Sequence, residues 1–97
     1  MNRYKYVVVQ SNKFKKNLKK LVKQGKDLDK LLDVVDKLAF KEMLEPKHKN
    51  HKLINNKNYN NCYECHIEPD WLLVYKYDED NLLLLLVNSG THSELFN

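Results

Sequence analysis

An α+β fold in the order β-α-α-β-β-β, with one antiparallel-rich sheet packed against a helical hairpin, is predicted by three features of the chain. Apolar residues recur at helical spacing between Ser11 and Ala39, they run almost unbroken through three short segments after Asn61, and a polar stretch at 47–61 separates the two patterns. With 97 residues, the chain has the length of one domain spanning 1–97, too short for two independently folded units. Its 42% hydrophobic and 31% charged residues match a globular protein and exclude a disordered chain.

Tyr4 to Val9 is aromatic and β-branched and gives way to Gln10-Ser11-Asn12, so a strand leading into a helix cap is expected. From there Phe14, Leu18, Leu21 and Val22 share one helical face, and lysines fill the rest. Gly25 suits the position just past a helix end, and Asp27 suits the cap of the next helix. Leu28, Leu31, Leu32, Val35, Leu38 and Ala39 form the second stripe, with Pro46 as its expected limit. Residues 47–61, with five Asn between Asn55 and Asn61, carry neither period and read as a loop. Strands are expected at Cys62–Ile67, Trp71–Tyr77 and Leu82–Asn88, parted by turn residues. The last two are apolar enough to be covered on both faces, one cover being the hairpin.

The longest apolar run, Leu82 to Val87, is six residues, against roughly 20 for a membrane-spanning helix, and no secretory signal pattern opens the chain. No membrane association and a cytoplasmic location are expected. Charge is uneven: residues 1–52 carry +9 and residues 53–97 carry −5, for a net +4. A cationic half favours a polyanionic partner, nucleic acid or an acidic protein segment, although lysines also simply solvate helix faces. The helices hold few aromatics, so they form no stacking platform for single strands.

His48, His51, His66 and His92 all fall outside the expected helices, on the loop, on a strand or just after the last strand. Imidazole moves protons near neutral pH, and loops and strand ends on a rigid sheet are where such groups act. Strand alternation puts Cys62, Glu64 and His66 on one face and Tyr63, Cys65 and Ile67 on the other. Cys62-Tyr63-Glu64-Cys65-His66 matches the haem-attachment pattern, and His48-x-x-His51 ahead of Cys62-x-x-Cys65 has finger-like zinc spacing. A strand would hold the two sulfurs on opposite faces and spoil both, leaving two reduced thiols and no cofactor or metal as the expectation.

The run Tyr63-Glu64-Cys65-His66-Ile67-Glu68-Pro69-Asp70-Trp71-Leu72-Leu73-Val74-Tyr75-Lys76, with Gly90-Thr91-His92-Ser93-Glu94-Leu95-Phe96 and His51-Lys52-Leu53, closely resembles the YafQ-like branch of the RelE/ParE superfamily of bacterial toxins. The resemblance implies a RelE-like fold and an mRNA endoribonuclease, or mRNA interferase, that acts in the ribosomal A site. It implies His51, His66, Asp70, His92 and Phe96 as site residues, with Trp71 as a packing neighbour. A 2′-OH would attack the adjacent phosphate, with His51 or His66 as base, His92 as acid, Asp70 orienting a histidine, and Phe96 contacting substrate or securing the tail.

The implied partners are mRNA and a cognate antitoxin, expected to be of the ribbon-helix-helix type, that lies over the basic hairpin; operator DNA would be bound only through their complex. Two arginines of the family pattern are replaced here, one by Tyr63 and one by Asn88. An Arg clamp on phosphate is worth about 3 kcal/mol, so a slower enzyme is expected unless Lys49, Lys52 or Lys57 substitutes. The alternative is a catalytically inactive toxin fold that acts by binding its antitoxin, or a topoisomerase as in the ParE branch.

Overall fold

The computed structural model describes residues 5–96. Strand β1 (Val7–Gln10) leads into α1 (Asn12–Lys23) and α2 (Leu28–Ala39). A 3₁₀ turn (Pro46–His48) precedes β2 (His51–Lys52), β3 (Tyr63–Glu68), β4 (Trp71–Asp78), β5 (Leu83–Gly90) and the short helix α3 (His92–Phe96). The five strands form one sheet in the order β1-β5-β4-β3-β2. Only the β1–β5 pair is parallel, because the helical hairpin carries the chain back across the sheet between them. The first strand thus begins later than expected, and Tyr4 lies outside the described residues.

Ser11 caps α1: its Oγ accepts the Phe14 N–H at 3.0 Å and donates to the Val87 carbonyl at 2.7 Å, tying the helix start to β5. The helix ends in a Schellman motif, with Gly25 left-handed at φ +80° and the Gly25 and Lys26 amides returning to Val22 and Leu21. Asp27 caps α2 as expected, accepting the Asp29 N–H at 3.0 Å. α2 stops at Ala39, well short of Pro46. A second Schellman motif closes it, with Lys41 at φ +58° and the Lys41 and Glu42 amides bonded to Leu38 and Lys37.

The stripes also shift at their margins. Phe14 and Leu21 are buried on α1 while Val22 is 50% exposed, and α2 buries Leu31, Val34, Val35, Leu38 and Ala39 while Leu32 is 60% exposed. A stripe centred on 31, 34/35 and 38 leaves position 32 a full 100° step off the contact line.

β4 is covered on both faces, with Trp71 to Tyr75 all buried. Trp71, Leu73 and Tyr75 join Phe14, Leu31 and Leu38 in the core beneath the helices, and Leu72 and Val74 pack on the other face against Tyr59, Cys62 and Leu95. That second cover comes from the 53–62 segment and α3. The region expected to be all loop therefore contains a turn of 3₁₀ helix and a two-residue strand, β2, paired with β3 through His51↔Glu64 and Lys52↔Tyr63. Cys62 and Cys65 lie in the cores on opposite sides of the sheet, so the finger-like set of four does not converge.

Candidate active site

Register places the candidate residues. His51 on β2 lies opposite Glu64 on β3, His66 lies opposite Leu72 on β4, and Leu72 lies opposite Gly90, which only Thr91 separates from α3. The face turned away from the hairpin therefore carries His51, Glu64 and His66 toward one edge and α3 beyond β4.

Glu64 is the centre of the first group. Its carboxylate is almost buried, with Oε1 3.4 Å from His66 Nε2 and 3.9 Å from His51 Nε2. Each ring is held from its other nitrogen: His51 Nδ1 donates to the Lys49 carbonyl at 2.7 Å and His66 Nδ1 to the Pro69 carbonyl at 3.2 Å. A carbonyl only accepts, so both Nδ1 atoms carry hydrogen and the neutral ring keeps Nε2 as its acceptor. The His51 side chain is 52% exposed against 20% for His66, which makes His51 the more accessible ring. His48 is buried with Nδ1 on the His66 carbonyl at 2.7 Å, so it supports the β3 backbone and does not reach this face.

The second group surrounds α3. Asp70 Oδ1 accepts the backbone N–H of His92 at 3.3 Å and thus grips the start of α3; it makes no hydrogen bond or ion pair with an imidazole among the described residues. Thr91 and Glu94 form a capping box, Thr91 Oγ1 accepting the Glu94 N–H at 3.2 Å and Glu94 Oε1 accepting the Thr91 N–H at 2.8 Å. A Cβ at Gly90 would stand 2.8 Å from Glu94 Oε1, so the glycine leaves room for that box. Phe96 sits between two rings, with centroids 5.0 Å from His92 and 5.5 Å from Tyr59. Trp71 is fully buried, its Nε1 donating to Ser89 Oγ at 3.0 Å, and it reaches the site only through packing.

Asn88 and Tyr59 hold this side of the sheet together. Asn88 Oδ1 accepts from Asn17 Nδ2 at 2.6 Å and from the Ser89 N–H at 2.9 Å, while its Nδ2 donates to the Tyr59 hydroxyl at 3.0 Å. Tyr59 in turn donates to the Leu95 carbonyl at 3.0 Å. The amide is buried and its oxygen doubly engaged, so Asn88 is a strut from α1 to α3 rather than a phosphate contact. Glu64 and Tyr59 were not among the candidates from sequence. Glu64 was legible as a neighbour of His66 by alternation, and Thr91-x-x-Glu94 was a legible capping box, but nothing local marks Tyr59.

No group of three or more His, Cys, Asp or Glu side chains is gathered to hold a metal ion, and no helix is long and apolar enough to cross a membrane, both among the described residues. The model of the family described as "Bacterial toxin of type II toxin-antitoxin system, YafQ" matches residues 6–97. The chain belongs to this family. It is 33% identical over 87 residues to the mRNA interferase toxin YafQ of Escherichia coli strain B / BL21-DE3, covering 89% of this chain and 90% of that protein.

Solved toxin structures agree in fold. A metal-bound toxin from Helicobacter pylori superposes with a TM-score of 0.88 at 45% identity, covering 94% of this chain and 99% of the other. The E. coli DinJ-YafQ toxin-antitoxin complex matches with a TM-score of 0.82 at 30% identity, covering 96% and 99%. The expected RelE-like fold is therefore present, with β2 and α3 added to the order read from sequence.

Proposed function

We propose that this YafQ-family toxin is a ribosome-dependent mRNA endoribonuclease whose reaction is carried by His51, set beside Glu64, and by His92 on α3. The observation that carries the proposal is the sharing of one nearly buried carboxylate oxygen by His66 Nε2 and His51 Nε2. The names of the E. coli relatives support the reaction class.

In this reading, exposed His51 takes the proton of a ribose 2′-OH through Nε2, the oxygen attacks the adjacent phosphorus, and a 2′,3′-cyclic phosphate forms as the 5′-oxygen leaves. His92 supplies the leaving-group proton from α3. Glu64 stabilises the imidazolium on His51, and His66 packs beside it. Asp70 acts through the backbone of His92, holding α3 in place, and Phe96 steadies the His92 ring. Asn88, engaged as a strut, supplies no clamp on the phosphate at the position where the family pattern has arginine, so turnover below that of arginine-bearing members is expected.

Purified protein added to an in vitro translation reaction should arrest synthesis and cut the message. His51→Ala and His92→Ala should each lower cleavage by about 10²-fold or more, in the range of lost acid or base catalysis. Translation that proceeds undisturbed, or cleavage indifferent to both substitutions, would refute the reading.

A cognate antitoxin is the second partner proposed, supported by the DinJ-bound E. coli structures. The cationic α1 offers an acidic or amphipathic segment a surface with lysines at 13, 15, 16, 19, 20 and 23. Action on ribosomes places the toxin in the cytoplasm.

A further inference from the structure

On the hairpin side of the same sheet edge lies a groove of about 480 Å³, within the roughly 300–1,000 Å³ of small-ligand sites. Tyr63, Tyr75 and Tyr77 of the two neighbouring strands line it, and Tyr6 packs against the last of them. Tyr63 and Tyr75, opposite one another in β3 and β4, stack with centroids 5.6 Å apart and planes 18° apart. Tyr77 stands edge-on to Tyr75 at 5.8 Å, and Tyr6 edge-on to Tyr77 at 5.1 Å. The helices hold no aromatic platform, but the strands build one.

The polar groups of the groove divide into two sets. Tyr75 donates to Asn50, Tyr77 donates to the Leu38 carbonyl at 2.7 Å, and Glu79 is engaged by Lys41 at 2.8 Å and by Tyr6. The Lys52 ammonium, the Asn61 amide and the Tyr63 hydroxyl line the groove with no hydrogen bond or ion pair among the described residues. Lys41 and Lys52 face Glu42 and Glu79, so the groove has no net positive charge to attract phosphate alone. Its recognition chemistry is a planar ring for stacking and a few unpaired donors and acceptors.

Pairing of β2 with β3 connects this groove to the imidazoles. His51 lies opposite Glu64 and Lys52 opposite Tyr63, so consecutive residues of one exposed edge strand serve the two faces. We propose that the groove is a nucleobase subsite: an unpaired base of the RNA next to the scissile phosphate stacks on the outer face of half-buried Tyr63, which buried Tyr75 backs, with Lys52 on its backbone and Asn61 on its edge. This rests on the ribonuclease reading for its ligand class. Stacking on an aromatic ring tolerates any base, which suits a toxin that meets many messages.

The test uses the full chain and a 2′-O-methyl RNA hexamer, which cannot be cleaved, so binding is read independently of catalysis. Titration followed by amide NMR should shift the resonances of Asn50, Lys52, Asn61 and Tyr63. An abasic hexamer of equal charge should bind at least fivefold more weakly, and Tyr63→Ala should weaken the hexamer by about five- to 150-fold, the range for one lost base–aromatic stack. Tyr63→Trp should retain affinity, and Lys52→Ala should lower the dependence of log Kd on log salt by about one. Equal affinity for the abasic strand, or shifts that avoid the groove, would overturn the proposal even if translation arrest and the histidine variants behave as expected. Groove shifts with the base-dependent affinity would sustain it even for a protein that cuts nothing.

Discussion

Tyr59→Phe removes one oxygen from a side chain that is 4% exposed and should release α3. The ring and its edge contact with Phe96 remain, so the change isolates the hydroxyl. Two buried groups lose their partner: the Leu95 carbonyl that Tyr59 donates to, and the Asn88 Nδ2 that it accepts from. At about 1–3 kcal/mol for each orphaned group, a rigid structure would lose about 2–6 kcal/mol.

α3 has only five residues, however, and can lift away to rehydrate both groups. Undocking forgoes chiefly the burial of Leu95, about 1.5–3 kcal/mol, and this lower-cost route sets the limit. Urea denaturation should therefore show a loss of about 1.5–3 kcal/mol at unchanged m-value, and the Leu95 amide, bonded to the Thr91 carbonyl at 3.1 Å, should exchange much faster than amides of β4. Cleavage should fall with the same substitution, because His92 and Phe96 ride on α3. A destabilisation below about 0.5 kcal/mol with Leu95 exchange unaltered would refute the strut.

Glu64→Gln keeps size while removing charge, and cleavage should drop at least about tenfold in the translation assay with the circular dichroism spectrum unaltered. Ser11→Ala removes a helix cap and the partner of the Val87 carbonyl, so urea denaturation should report a loss of about 1–2 kcal/mol. Hydrogen bonds from Lys30 and Lys26 hold the Glu68 carboxyl below its ordinary 4.5. Its contribution to stability is thus present above that value and disappears as pH falls through the lowered one; Glu68→Gln should flatten the acid limb of stability plotted against pH. Burial raises the Cys62 thiol and pushes Cys65 up to about 12, so a thiol reagent at neutral pH should label neither in the native protein and both in urea.

How much was legible depended on whether the signal was local. α1 could be delimited because Ser11 and Gly25 are residues whose chemistry announces a cap and a left-handed C-terminus. α2 ends in the same Schellman motif, but with Lys41 in the glycine position, so its end was read seven residues late, at Pro46. α3 was missed although Thr91 and Glu94 spelled its capping box, because a five-residue helix offers no apolar period to draw attention to it. The two-residue strand β2 has no signature of its own. Asp70 was a candidate and Asn88 stood at a family arginine position, yet their contacts, a backbone amide and a pair of buried struts, depend on partners 22 and 71 residues away.

Local chemistry in the chain determined which segments are helix and which are strand, where His51, His66 and His92 stand along them, and which motifs tie the protein to its toxin family. Only tertiary structure decided that Glu64, and not Asp70, faces the imidazoles, that Asn88 braces α3, and that tyrosines of two neighbouring strands line one groove. Periodicity and capping act over a few residues and are written in order along the chain. Strand register brings together residues that share no local pattern, and it is set by the packing of the whole sheet between its two cores.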